Sequence, residues 1–495
     1  MNRRSTPGGA ATAPRPHPAT AVAPRLRTLL TTERPRPDLV REHPLAWRLA
    51  VATVCFGAFM GQLDASIVTL TYRPLRTEFH STPAGVEWVS LAYLLTLVAF
   101  LVPVGRLSDV HGRKLMYLYG FAVFTAASAA CGLAPGLTLL VVFRVVQAVG
   151  AALMQANSVA LVTTSAPPGR MRAALGIQAA GQAVGLALGP TIGGALVATL
   201  GWRWVFGVNV PIGVVALVAG HYLLPRTRDC VRSTRIDTIG VALLAATTTF
   251  ALLALSVASG LGLPGWTAGA LAVLSVGAGW AFARRQSRSA NPLVDLRLLR
   301  TGRIGPGLVA GLCGYLVLFG PLVLVPAALT RHGSSALAVG LVLTALPVGF
   351  AVAATSAERL LPRGWDDTRR CRAGAAGCVA ALVLLALLPQ QAAVLPWPLA
   401  LLGLALGTFV PANNALVMKA IPTASAGTGG GMVNMTRGLG TAIGVAAVTL
   451  ALHLVPGDAG ARTAVLTLLA FAVLALATTL PIRSHRPGRV SQPQR

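Results

Sequence analysis

GRLSDVHGRK, residues 105–114, separates two apolar runs, 87–104 and 115–134, whose one charge is Glu87 at the far edge of the first. The ten residues hold Arg106, Arg113 and Lys114 against one carboxylate, Asp109. Gly105 and Gly112 permit a tight turn, and Asp109 is placed to brace Arg113 or the N-terminus of a neighbouring helix. An ordinary basic loop has no reason to set Gly, Asp, Gly and Arg in this register. The stretch reads as a short connection between two membrane-crossing helices, and the rest of the chain extends that pattern.

A spanning helix needs about 20 mostly apolar residues. Such runs lie near 47–72, 87–104, 115–134, 137–160, 173–199 and 204–224, then 238–258, 264–284, 304–328, 337–356, 373–391, 396–418, 427–452 and 463–482. That makes fourteen spans. Composition agrees: 54% of the 495 residues are hydrophobic and 11% charged, against roughly 25% charged in a soluble domain. Mean hydropathy is +0.69.

The net charge of +27 would point a soluble protein towards nucleic acid. Here the charge lies between apolar runs, so no nucleic-acid partner is expected. Taking alternate loops, one side holds Arg106/Arg113/Lys114, Arg170/Arg172, Arg226/Arg228/Arg232/Arg235, Arg284 to Arg303, Arg359 to Arg372, Lys419 and Arg483 to Arg495, together with an Arg-rich N-terminal stretch. The other holds Arg73, Arg76, Arg203, Arg331 and Arg462. By the positive-inside rule the first side is cytoplasmic, both termini included. Residues 1–46 read as a disordered basic tail with no cleavable signal, and 483–495 as a second tail. Cys55, Cys131, Cys230, Cys313, Cys371 and Cys378 show no metal or disulfide spacing and read as packing residues. Arginine outnumbers lysine 39 to 2 (41 basic residues, of which Lys114 and Lys419 are lysine). That bias, with abundant Ala and Gly, points to a GC-rich bacterial genome, so the expected location is the bacterial cytoplasmic membrane.

In its loop between spans two and three, GRLSDVHGRK resembles the signature of the major facilitator superfamily. GQAVGLALGPTIGG, 181–194, is similar to the antiporter motif of that family's exporters: Gly181, Gly185, Gly189 and Gly193 recur every four residues, Pro190 removes a backbone donor, and Gly194 closes the motif. Such a smooth face can serve as a closing surface between rocking bundles. RVVQAVGAAL, 144–153, WRWVFGVNVPIG, 202–213, RIDTIG, 235–240, and NPLVDLRLLR, 291–300, resemble the fourteen-span drug:proton antiporter branch, although Ala148 stands where glycine is usual. In the second half ERLLPRG, 358–364, sits where a degenerate copy of the loop signature belongs, and GTGGGMVNMTRGLGTAIGVA, 427–446, resembles the branch's Gly-rich helix thirteen.

The resemblance implies an all-α polytopic membrane protein of the major facilitator fold. Two six-helix bundles, 47–224 and 304–482, would flank a linker, 225–303, that carries two inserted transmembrane helices. Such folds hold their site near the midplane.

One carboxylate, Asp64 in GAFMGQLDASIVTL (57–70), lies well inside a span, while Glu87 and Asp237 lie at span ends. An intramembrane charge costs roughly 2.5–3.5 kcal/mol on insertion scales and is a functional candidate for that reason. Span one ends near Tyr72, eight residues past Asp64, and span four enters near Leu137, seven residues before Arg144. At 1.5 Å per residue both charges lie about 10–12 Å below the same end of their spans. A movement that changes their separation or hydration can load and release a proton, and the resemblance implies the same proton-coupling pair. A fixed ion pair, or Asp64 as a ligand for a cationic substrate, are the alternatives. Downstream, TLTYRP (69–74) departs from the family pattern.

Further cavity candidates are Gln147, Asn157, Gln178, Gln182, Asn413, Asn414, Asn434 and Arg437, of which the neutral ones also suit interhelical hydrogen bonds. The resulting expectation is a monomeric exporter of amphipathic small molecules driven by protons through the lipid bilayer, with no cofactor and no metal. A dedicated exporter of one metabolite is the nearest alternative. An enzyme or an ATP-driven pump is disfavoured, because the eight histidines show no metal spacing and no GxxxxGK[ST] occurs, and a non-transporting sensor is a remote reading.

Overall fold

The computed structural model describes residues 33, 35–43, 45–167, 169–227, 237–258, 263–289, 292–300, 303–331, 336–360, 362, 364–389, 391–455 and 457–480. Both tails up to residue 32 and from 481, and with them Arg228, Arg232, Arg235 and Cys230, lie outside these residues, as do parts of RIDTIG and ERLLPRG. Among the described residues every regular element is helical, and fourteen helices are long and apolar enough to cross a membrane. They are α1 (Ala46–Ile67), α2 (Pro83–His111), α3 (Arg113–Gly132), α4 (Leu137–Ser165), α5 (Met171–Thr199), α6 (Arg203–Leu223, interrupted at Val208), α7 (Thr238–Ala258), α8 (Trp266–Arg288), α9 (Ile304–Leu329, interrupted at Gly320), α10 (Ala336–Leu360), α11 (Asp367–Leu387), α12 (Pro396–Ala420), α13 (Ala426–Leu454) and α14 (Asp458–Thr479).

Two boundaries depart from the sequence reading. The connection expected over 105–114 is mostly helix: α2 continues to His111, and only Gly112, at φ +102°, breaks the chain before α3. That backbone angle favours glycine. Beyond Ile67 the chain stays helical through a 3-10 turn, Val68–Thr71, and a short helix, Tyr72–Glu78. Glu78 then meets Trp202 Nε1 at 2.6 Å and Arg203 at 2.8 Å, fastening this extension to the start of α6. The hydrogen bond from Arg203, followed by that from Trp202, holds the Glu78 carboxyl below its ordinary value.

The helices pair in a repeated scheme. In the first bundle α1 packs on α4, α5 and α6, α2 on α4, and α3 on α4 and α6. Eight helices later the same scheme recurs, with α9 on α12, α13 and α14, α10 on α12, and α11 on α12 and α14. The bundles meet where α2 and α4 touch α13 and where α5 touches α10 and α12. Helix α7 leans on the α2–α13 seam and pairs with α8, of whose residues only Gln286 is buried. Asp237 clips this hairpin together, accepting from Gly240 N at 3.0 Å, Arg285 Nε at 2.8 Å and Gln286 Nε2 at 3.0 Å. Burial pushes the Asp237 carboxyl up, but Arg285 and the two neutral donors outweigh it and leave the group below its ordinary value.

In lipid there is little hydrophobic force between helices, so close backbone approach through small residues has to supply packing. The stripe on α5 does this against α1. Gly181 faces Cys55, Gly189 faces Ser66, Gly193 faces Ile67, and a Cβ on Gly185 would stand 2.5 Å from the Phe59 carbonyl oxygen. Glycines every fourth residue make a face, but periodicity alone does not say what the face meets. Gly194 has open space around it, and α5 runs on as helix through Pro190. One glycine of α5 that meets the second bundle closely is Gly176, against the Ala354 carbonyl of α10.

A matched pair tests this packing. Gly185→Ala is expected to destabilise the purified protein by about 1–3 kcal/mol through overpacking, whereas Gly194→Ala, nine residues further along the same helix, should leave thermal unfolding unchanged. Equal effects from the two would remove the α1–α5 contact as the reason for the stripe.

Candidate functional site

Asp64 and Arg144, matched in depth by counting, form an ion pair of 2.7 Å with both side chains sealed from solvent. Arg144 Nη1 reaches Asp64 Oδ2, while Asp64 Oδ1 accepts from Gln147 Nε2 at 3.1 Å and from Asn209 Nδ2 at 3.2 Å. Gln147 also donates to Ser128 Oγ at 2.7 Å and accepts from Arg144 at 2.6 Å. Arg144 Nε donates to the Val89 carbonyl at 3.0 Å, and its guanidinium lies 4.0 Å from the Tyr93 ring centroid and 5.7 Å from that of Phe206. The carboxylate therefore sits among three donors from α4 and α6, in a setting where an unpaired charge would cost several kcal/mol. A group so enclosed can change its protonation only together with the helices that hold it.

A second polar cluster joins the bundles at mid-depth. Arg437 on α13 hydrogen-bonds the side-chain oxygen of Gln155 on α4. Asn434 Nδ2 donates to the Gln155 carbonyl at 2.6 Å and to the Gly430 carbonyl at 2.9 Å. Nearby a narrow cleft of about 20 Å³, room for about one water, lies between α1 and α5 on one side and α9 and α10 on the other. Gln62 and Gln182 give it a polar edge, while Tyr315, Phe319 and Phe350 make an aromatic wall.

At the basic face the bundles are tied shut. Asp109 braces both partners that the sequence allowed it. It accepts from Arg113 Nη2 at 3.0 Å, and it caps the start of α13, taking Gly427 N at 2.7 Å, Thr428 N at 2.8 Å and Thr428 Oγ1 at 2.7 Å. Arg113 continues across the seam to the Thr423 and Ala424 carbonyls at 2.5 and 3.2 Å. Gly105 is needed here for contact and not for a turn, because a Cβ would run into the Gly427 carbonyl. A second tie uses Asp367 on α11, which pairs with Arg172 of α5 and with Lys419 of α12, the latter at 2.6 Å. Lys114 is buried and donates to the His221 carbonyl at 2.8 Å. Within the segment expected to be disordered, Asp38–Arg41 forms one helical turn, and Glu33 accepts from Leu115 N at 3.1 Å and Thr227 Oγ1 at 2.9 Å.

The remaining candidates scatter. Asn157 donates to Ser108 Oγ and to the Leu153 carbonyl, both at 2.8 Å, which ties α4 to α2. Gln178 donates to Ser158 Oγ at 2.9 Å. Asn413 donates to the Gly307 carbonyl at 2.9 Å inside the second bundle, and Asn414 bonds Tyr315. Reading the sequence missed Ser128, Tyr93, Asn209, Gln155 and Asp367. Asn209 stood inside the quoted WRWVFGVNVPIG and Asp367 inside a basic loop, so both were visible, but a Ser or Tyr in an apolar run carries no signal of its azimuth.

The sequence profile of the Major Facilitator Superfamily matches residues 54–445. The methylenomycin A resistance protein of Bacillus subtilis is 29% identical over 450 residues, covering 89% of this chain and 95% of its own. The riboflavin transporter RibZ of Clostridioides difficile is 29% identical over 401 residues, covering 80% and 86%. In fold, the structure of the proton:xylose symporter XylE superposes with a TM-score of 0.61 at 14% identity, over 87% of this chain and 94% of that one. Fourteen helices able to cross a membrane, twelve of them paired in two repeated sets of six, and a profile match running from α1 into α13, make this chain a membrane transporter of the major facilitator superfamily.

Proposed function

We propose that the protein is a proton-coupled antiporter that exports amphipathic small molecules across the bacterial cytoplasmic membrane by alternating access, as a monomer with its basic face and both termini in the cytoplasm. The observation that carries this reading is the enclosed Asp64, held by Arg144, Gln147 and Asn209. Protonation removes the charge that Arg144 balances, so each proton taken up re-sorts contacts among α1, α4 and α6. Arg144 also holds the Val89 carbonyl and the Tyr93 face, contacts that do not depend on the Asp64 charge and can anchor the guanidinium once Asp64 is neutral.

The ties at the basic face supply the other half of the cycle. With Asp109 capping α13 and Asp367 bridging α5 to α12, the cytoplasmic end is shut. Opening it has to break these charge-assisted bonds, each worth about 1.5–3 kcal/mol, and substrate binding in the cleft is the event that offsets the loss. Relatives named for drug resistance support export of amphiphiles, and a relative named for riboflavin transport supports the second reading, a dedicated carrier of one metabolite. A susceptibility panel separates the two, since protection against chemically unrelated compounds fits only the first.

In inverted vesicles, Asp64→Asn should abolish substrate-induced proton release while wild type shows it; normal proton-coupled transport by that variant would overturn the assignment. The same change leaves Arg144 buried without an anion, so Asp64→Asn should lower unfolding stability by about 3–5 kcal/mol. The double variant Asp64→Asn/Arg144→Gln should recover part of that loss. If it unfolds still more easily than the single one, the pair is not what stabilises this region.

A further inference from the structure

Three charges lie deep within the described spans: Asp64, Arg144 and Arg437. Asp64 is consumed by Arg144, which leaves Arg437 uncompensated. Arg437 stands eleven residues into α13, about 16 Å from its basic end and so near the middle of a core about 30 Å thick. Its side chain, on a residue 7% exposed, has five donors and a fixed planar fork suited to a carboxylate. Among the described residues its one hydrogen-bond partner is a neutral amide oxygen, that of Gln155. A buried cation left in this condition is costly, and a bound anion removes the cost.

A second buried polar atom also lacks a partner. The Tyr93 hydroxyl, on a residue 3% exposed, has no hydrogen-bond partner. Arg437 lies within electrostatic reach of Tyr93 on α2 and of Tyr315 on α9. Tyr315 also lines the interbundle cleft, so the polar pair and the apolar cavity share a wall. On the other side Gly61 abuts the Gln155 amide, and the next residue, Gln62, lines the cleft. Tyr315 and the Gly61–Gln62 step thus link the aromatic wall of the cleft to the surroundings of Arg437.

We propose that Arg437 is the anion-binding pole of the substrate site, and that the exported molecule is an amphiphile carrying one carboxylate. Its acid group is taken by the Arg437 fork and the Tyr93 hydroxyl, and its apolar body lies against Phe319 and Phe350. This rests on the export reading above and narrows its substrate class. Because Arg437 belongs to the second bundle and Tyr93 to the first, an acid held by both draws the bundles together, which a neutral analogue of the same shape does not do.

The test uses three probes with one fluorophore and different charge: dansylglycine (carboxylate), dansylglycinamide (neutral) and dansylcadaverine (cation). Binding to the purified full-length protein is followed by fluorescence polarisation, with no proton gradient present. Wild type should bind dansylglycine at least about tenfold more tightly than its amide, the size of one charge-assisted contact. Arg437→Gln should bring that ratio to within about twofold, Arg437→Lys should keep most of it, and Tyr93→Phe should reduce it about threefold. Arg437→Gln removes an unbalanced buried charge, so its thermal unfolding should lie at or above that of wild type. The proposal falls if wild type binds amide or amine as tightly as acid, if Arg437→Gln keeps the tenfold preference, or if none of the probes binds saturably. Failure here leaves coupling through Asp64 untouched, and loss of the Asp64 assignment leaves this binding preference standing.

Discussion

A carboxylate and a guanidinium excluded from water have to find every remaining partner within the protein, and around Asp64 and Arg144 that requirement organises most of the first bundle. Asp64 belongs to α1, Arg144 and Gln147 to α4, Ser128 to α3, Asn209 to α6, and the Val89 carbonyl and Tyr93 ring to α2. Rotating any of these helices strands a polar group in hydrocarbon, where an unsatisfied group costs several kcal/mol. The second bundle follows the same helix-pairing scheme with a different interior. In the corresponding α9–α12 contact, Asn413 merely bonds the Gly307 carbonyl. The two halves share an architecture and divide the chemistry, one holding the ion pair and the other a cation at the seam.

Depth could be counted along the sequence, whereas azimuth could not. The fourteen apolar runs and the shared depth of Asp64 and Arg144 needed only residue spacing and helical rise. Which residues stand around the pair depends on how each helix is rotated, and that is decided by packing between helices distant in sequence. Ser128 and Tyr93 look like any other polar residue in an apolar run until α3 and α2 are turned towards α4. The same reason explains the stripe on α5, which periodicity defines and only packing assigns to α1. Residues 105–111 read as a turn from their glycine and charges; they are helical because Gly105 presses on Gly427 and Asp109 caps α13, contacts more than 300 residues apart in sequence.

Polar ties across the seam concentrate at one end. Asp109 with Gly427 and Thr428, and Asp367 with Arg172, lie at the basic face, and the Gln155–Arg437 contact lies near the middle. The seam is thus braced by directional bonds where it is shut, and lined with aromatic and small side chains next to the cleft. A surface without directional bonds can separate by sliding contact, while a bonded end releases only when its partners are exchanged.

The α7–α8 hairpin also settles a matter of parity. Repeats related like these two bundles must enter the membrane from the same side, since a copy entering from the other side would be turned upside down relative to the first. An added segment that crosses once reverses everything after it; one that crosses twice returns the chain to where it left. The hairpin crosses twice, is closed at its base by Asp237, Arg285 and Gln286, and covers little of either bundle with α8. Two crossings between the bundles leave the second half in the orientation of the first, whereas a single crossing would invert it.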